Sequence, residues 1–278
     1  MEGTLSDFGR VGWSRGRVRE PFAAAGQDVQ SQAAAGGSES GENADFLNVE
    51  ACLSDRRFVN AARMSKLASI QRILNPGIIA ILRSPTGAKL IDAAKAALAG
   101  GVTAMEVTMT TPGALNIIRD SKRAMGDQIV MGAGSVLDAE SCRSALLAGA
   151  EFIVTPVVRP DVIQLANRYG VPVICGAMTP TEALTAQELG ADFIKLFPAE
   201  SLGPGFVKSL LAPMPMLQII PTGGVTPENT AAFLNAGAVA VGVGSQLVSQ
   251  DMLDNGDWPK VTKMAGKYIA AAKKARTV

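Results

Sequence analysis

A compact (β/α)8 barrel is the fold class this chain predicts. Three observations carry it: a recurring junction of glycine with a small neighbour, a recurring Thr-Pro pair, and eight short β-branched runs between them. The junctions are Gly100-Gly101, Gly149-Ala150, Gly190-Ala191 and Gly237-Ala238, with a weaker one at Gly170. Each closes an alanine-rich helical stretch with the residue that turns a helix end into the next strand without a Cβ penalty. Thr111-Pro112, Thr179-Pro180 and Thr226-Pro227 mark helix starts. Threonine caps free N–H groups there, and proline fills the first turn without losing a needed bond. Thr179 with Glu182 adds a capping-box pattern. Eight βα units in about 210 residues fit the barrel, whereas a doubly wound open sheet has fewer units and a nucleotide fingerprint that is missing here.

Residues 1–63 precede this grammar. They contain no lysine, several arginines and a small-residue tract from Ala23-Ala24-Ala25-Gly26 to Ala33-Ala34-Ala35-Gly36-Gly37. Such composition reads as a low-complexity, disordered extension. An organelle transit peptide is the alternative, which would change the expected location from cytoplasm to plastid. Glu2, Asp7, Glu20 and Asp28 weigh against it, because transit peptides are poor in acids. The barrel domain is expected over 64–278. Its strands are expected near 77–82, 104–108, 129–132, 151–154, 172–174, 192–196, 218–221 and 238–242, each followed by a helix.

Of the 278 residues, 47% are hydrophobic and 18% charged, with a formal net charge of +1. That near-neutral balance leaves no electrostatic footprint for nucleic acid or an anionic membrane surface. No run approaches the ~18 apolar residues of a membrane span. Cys52, Cys142 and Cys175 are odd in number and form no CxxC, so they read as reduced thiols rather than a disulfide framework. Histidine is absent altogether. A Ser/His/Asp triad, a Cys/His pair and a histidine-ligated zinc are therefore excluded, and proton transfer falls to Glu, Asp, Lys, Tyr or Cys.

The sixth strand, in Asp192-Phe193-Ile194-Lys195-Leu196-Phe197-Pro198, sets an ammonium group inside an apolar segment. Alternation puts Phe193, Lys195 and Phe197 on one face. Aromatic neighbours strip water from the amine, and desolvation favours the neutral form that attacks a carbonyl to make a Schiff base. The plainer reading is a lysine that snorkels to solvent or pairs with a carboxylate. Other strand ends are polar or small: Arg83, Glu106, Gly132-Ala133-Gly134-Ser135, Thr155-Pro156, Gly176, Thr222-Gly223-Gly224 and Gly242-Val243-Gly244-Ser245. In a (β/α)8 barrel those ends form the active face. Glu106 is either an acid paired with Arg83 or Lys195 or a proton shuttle beside a Schiff-base lysine. The glycine turns after strands seven and eight stand where such barrels recurrently bind phosphate, and otherwise read as tight turns.

Six ordered motifs resemble the KDPG/KHG aldolase family: Glu106-Val107-Thr108, Gly132-Ala133-Gly134-Ser135, Phe152-Ile153-Val154-Thr155-Pro156, Ile194-Lys195-Leu196-Phe197-Pro198-Ala199-Glu200, Pro221-Thr222-Gly223-Gly224-Val225 and Val241-Gly242-Val243-Gly244-Ser245. The resemblance runs from about Met64 to the C-terminus. It implies a class I aldolase that cleaves 2-keto-3-deoxy-6-phosphogluconate, or alternatively 4-hydroxy-2-oxoglutarate, to pyruvate and an aldehyde. It implies Lys195 as the Schiff-base residue and Glu106 as acid/base, with no metal or organic cofactor. It places Arg83 and Ser135 at the pyruvate carboxylate and Pro156 and Phe197 as pocket walls. Thr222, Gly223, Gly224, Gly244 and Ser245 then form the phosphate side, and the assembly is a homotrimer. Thr110 stands where some members carry arginine, and GAGS replaces GAGT. A phosphosugar isomerase or epimerase, and a non-catalytic phosphate binder, are the rivals on the same barrel.

Overall fold

The computed structural model describes residues 66–276. The expectations for 1–63, for a domain start at Met64 and for Cys52 lie outside them. A helical segment over 66–74 leads into eight strands: β1 (Ile78–Leu82), β2 (Ala104–Thr108), β3 (Val130–Gly134), β4 (Phe152–Thr155), β5 (Val173–Ala177), β6 (Phe193–Leu196), β7 (Ile219–Pro221) and β8 (Val241–Val243). The helices between and after them are α1 (Leu90–Ala99), α2 (Ala114–Met125), α3 (Ala139–Leu147), α4 (Pro160–Arg168), α5 (Pro180–Glu188), α6 (Gly203–Leu211), α7 (Pro227–Asn235), α8 (Gln250–Asn255) and α9 (Trp258–Arg276). All strand pairs are parallel, in the order β7-β6-β5-β4-β3-β2-β1-β8. A bridge between Thr222 and Gly242 joins the two ends, so the sheet closes as the barrel the sequence predicts.

Alternation along each strand builds two cores. Outward residues such as Ile78, Leu82, Met105, Val107 and Met131 pack under the helices. Inward residues, among them Ile79, Val130, Phe152, Ile174, Phe193 and Ile220, fill the barrel interior. Ile70, Ile73 and Leu74 of the leading segment pack on that interior set from the N-terminal side of the strands. Each large aliphatic side chain withdrawn from water contributes about 1.5–3 kcal/mol. The barrel's lower half is therefore solid, and open chemistry is confined to the C-terminal ends of the strands.

The strand ends differ from expectation where glycine lets the ladder continue. β3 runs on to Gly134 and β5 to Ala177. A Cβ at Gly132 would strike the Phe152 ring, one at Gly134 the Glu106 carboxyl, and one at Gly176 the Pro156 carbonyl. Bare backbone is what lets neighbouring strands bring those groups in. β8 starts later than expected, at Val241. Thr179 and Thr226 cap their helices through full capping boxes with Glu182 and Asn229. Thr111 does not cap α2, which begins at Ala114 after a left-handed Gly113. The Thr111 hydroxyl lies 3.2 Å from that of Thr108 and accepts from Ser84 N at 3.4 Å, so it stitches β1 to β2 instead.

Candidate active site

Lys195 lies on β6 in register with Gly176 of β5 and Ile220 of β7, facing into the barrel. Its side chain is at the edge of full burial, with 9% exposure. Its Nζ stands 5.3 Å from the centre of the Phe197 ring, so one of the two expected aromatic neighbours leans over the amine. The other, Phe193, lies one inward step deeper in the interior core. Glu106 comes from β2, with Ala104 below it on the same face. It is 2% exposed, and its Oε1 has no hydrogen-bond partner among the described residues. No described ion pair involves it, so the structural pairing with Arg83 or Lys195 is not formed. Leaving a buried carboxyl oxygen without a partner costs about 1–3 kcal/mol, more when charged. Burial accordingly raises the Glu106 pKa above the ordinary carboxyl value, and the positive charge of Lys195 offsets part of that rise.

Glu106, Lys195 and Thr222 line one cavity of about 10 Å³, together with Ile79, Ile81, Ile174 and Gly242. That volume matches a single water molecule. A carboxyl whose pKa is raised by burial, an amine and room for one water form a unit that can pass protons over a short distance. A far larger hollow of about 640 Å³ opens on the outer wall between α1 and α9, beside Asp92, Lys95, Trp258 and Lys263. It contains none of the convergent groups, and its size does not make it the chemical site.

The remaining candidates stand around the mouth rather than in this cavity. Arg83 follows β1, in phase with inward Ile79 and Ile81, and its side chain is exposed. Ser135 follows β3 with φ at 58°, a left-handed conformation that is uncommon for a residue with a side chain. Pro156 is partly buried after β4, and Phe197 is 44% exposed after β6. Gly224, at φ 67°, is packed so closely on Glu200 that a Cβ would collide with it. Gly223 at φ 93° lies under the edge of Phe197. Across the barrel seam, Gly244 is open: a Cβ there would meet nothing closer than Ile81 at 3.9 Å. Ser245 beyond it is exposed. The two glycine turns adjoin through the Thr222–Gly242 bridge, and α7 begins three residues after Gly224.

Sequence reasoning missed two residues of this region. Asn229 donates from Nδ2 to the Gly224 carbonyl at 3.0 Å and accepts from the Thr226 N–H at 2.8 Å. Its signal was available, since it is the third residue after the Thr226 cap, where asparagine serves as well as glutamate. Tyr268 reaches the same turn from α9, donating to the Val225 carbonyl at 2.9 Å. No local pattern links it to a turn so far away in sequence.

A buried amine and an unpaired carboxyl at the mouth of a (β/α)8 barrel, with glycine turns at strands seven and eight, define an imine-forming barrel lyase. Residues 70–264 match the family described as KDPG and KHG aldolase. The 2-dehydro-3-deoxy-6-phosphogalactonate aldolase of Escherichia coli strain K12 is 38% identical over 171 residues, covering 61% of this chain and 83% of the relative. The 2-dehydro-3-deoxy-phosphogluconate aldolase of Pseudomonas aeruginosa is 35% identical over 209 residues, covering 75% and 92%. A solved KDPG aldolase from Legionella pneumophila, with pyruvate captured as a covalent carbinolamine intermediate, superposes with a TM-score of 0.64 at 25% identity, covering 68% of this chain and 92% of that one. The chain belongs to the KDPG and KHG aldolase family, and is thereby a class I aldolase, a carbon–carbon lyase.

Proposed function

We propose that this chain reversibly cleaves 2-keto-3-deoxy-6-phosphogluconate to pyruvate and glyceraldehyde 3-phosphate through an imine on Lys195. The observation that carries the reading is a nearly buried amine and an orphaned, buried carboxyl around one water-sized cavity. Neutral Lys195 attacks C2, and loss of water from the carbinolamine leaves a protonated imine. Glu106, through water, takes the C4 hydroxyl proton while the C3–C4 electron pair moves into the imine. The aldehyde leaves, an enamine remains, and the same carboxyl returns its proton to C3. Hydrolysis then frees pyruvate and the lysine. The imine is the electron sink, so the scheme uses no metal or organic cofactor.

In this reading Arg83 and Ser135 hold the pyruvate carboxylate, and Pro156 and Phe197 wall the pocket. Thr222, Gly223, Gly224, Gly244 and Ser245 take the phosphate beside the N-terminus of α7, where helix dipole and backbone N–H groups favour an anion. Incubation with pyruvate and borohydride, followed by peptide mass spectrometry, tests it. Modification of Lys195 is expected, and an unmodified Lys195 would return the site to the isomerase or phosphate-binder readings. The likeness to the phosphogalactonate aldolase favours a second substrate, the C4 epimer of the first. Direct competition between the two epimers decides the order of preference.

The quaternary state belongs to the same proposal, as a homotrimer. Five exposed apolar residues support it: Leu137, Leu147, Val157, Tyr169 and Met178. They fall on α3, the α4 cap and the loops after β3, β4 and β5, a single sector of the barrel wall.

A further inference from the structure

We propose that Tyr268 is a positioning residue for the phosphate-holding turn, acting through the Val225 carbonyl; the proposal rests on the phosphate reading of Gly223 and Gly224 given above. Tyr268 is fully buried on α9, and its hydroxyl donates to Val225 O at 2.9 Å. The N–H of the same peptide unit, on Thr226, donates to Asn229 Oδ1 at 2.8 Å. The Val225–Thr226 peptide is thus held at both ends by side chains. The preceding peptide is held at one end, where Gly224 O accepts from Asn229 Nδ2 at 3.0 Å. Because a trans peptide is planar with its C=O and N–H opposed, tying the Gly224 carbonyl toward Asn229 aims the Val225 N–H the other way. The turn thereby keeps the Gly224 and Val225 oxygens on protein donors and leaves the Val225 N–H directed away from Asn229, which is the polarity an anion needs.

Tyr268 closes this arrangement from outside the βα unit. Val225 is only 2% exposed, so its carbonyl has little access to water if the phenol is lost. A buried acceptor without a donor relaxes toward solvent, and here that means rotating toward the mouth, where an oxygen would oppose a phosphate dianion. Burial and the nearby Glu228 charge both push the Tyr268 phenol up, so it stays a donor across the working range. The ring itself is core: removing only the hydroxyl keeps the packing of α9 in place.

Tyr268→Phe in the full chain is the experiment, with Thr262→Val as its match. Thr262 sits on the same helix and donates from Oγ1 to Ala96 O at 2.9 Å, far from the turn. Three readouts are taken: inhibition by inorganic phosphate, kcat/KM for the phosphorylated substrate against 4-hydroxy-2-oxoglutarate, and the rise of Tm on adding phosphate. For Tyr268→Phe, phosphate Ki is expected to rise and phosphorylated kcat/KM to fall by about tenfold each, as for one lost hydrogen bond. Cleavage of the phosphate-free substrate falls much less, and the phosphate-dependent Tm rise shrinks. Thr262→Val lowers Tm comparably without altering phosphate binding. Equal losses on both substrates, or unchanged phosphate inhibition, would assign Tyr268 to packing alone. A parent enzyme that phosphate neither inhibits nor stabilises would instead sink the phosphate reading, and this proposal with it.

Discussion

At the scale of single residues, the site is built on two costs, a nearly buried amine and a carboxyl oxygen with no partner. Lys195→Arg keeps charge and most of the length but cannot become a neutral nucleophile. Near-complete loss of cleavage and of borohydride trapping is expected, with an unchanged circular dichroism spectrum. Glu106→Gln leaves the amine in place, so pyruvate trapping persists while cleavage falls by roughly 10²- to 10⁴-fold. The same substitution should stabilise the fold. The folded-state pKa of Glu106 is raised, so its contribution to stability is intact below about pH 4.5 and is lost as pH climbs through the folded value. Thermal melts should therefore show the Gln variant's advantage in Tm appearing above about pH 4.5 and growing until pH has passed the raised folded-state value. A Tm difference independent of pH would mean that burial does not set this carboxyl's titration. Lys195 and Glu106 were legible because each breaks an apolar strand. The absence of an ion pair between them was not, since alternation gives a facing direction and no distance.

At the scale of elements, glycine and threonine carried the sequence reading, with different success. The caps at Thr179 and Thr226 formed because a polar third residue, Glu182 or Asn229, completed each box. Thr111 lacked such a partner and found the Thr108 hydroxyl and the Ser84 N–H instead, and α2 starts later, at Ala114. Gly134 and Gly176 fell beyond the expected strand limits but lie within β3 and β5, since the need for bare backbone came from Glu106 and Pro156 on neighbouring strands. The space around each glycine decides which position can test the phosphate turns. Gly224 is unsuitable, because its positive φ and its contact with Glu200 make any side chain disruptive. Gly244 has space, so Gly244→Val should fill the anion site while leaving the fold alone. Since remote binding energy is used to orient the reacting bond, phosphorylated kcat/KM should drop about tenfold or more, with kcat falling as well as affinity. Activity on 4-hydroxy-2-oxoglutarate should change far less. Equal losses on both substrates would show that the β8 turn shapes the whole pocket rather than the phosphate end.

At the scale of the molecule, assembly was the least legible property, because sequence alone does not say which face of each helix looks outward. The barrel's wall is uneven: among the described residues, five of the eight exposed large apolar side chains lie in the α3–α4 sector and its rim. Arg143 covers the Tyr169 ring at 4.4 Å, but Leu147 remains 68% exposed and Leu137 and Val157 about half exposed. Apolar residues gathered on one side of a monomer mark a contact surface more often than chance. The proposed trimer would cover it, since a closed ring of copies leaves no such surface at an open end. Sedimentation equilibrium of the full chain at micromolar concentration should give three times the 28.8 kDa protomer mass. Leu147→Glu with Val157→Glu should shift that mass toward one protomer, because a desolvated carboxylate at each contact cannot be paired by its own copies. The mouth is formed by one chain's strands, so dissociated protomers should retain borohydride trapping at Lys195. A monomer mass for the unmodified chain would leave the apolar sector unassigned, whereas a trimer indifferent to both substitutions would move the interface to another face of the barrel.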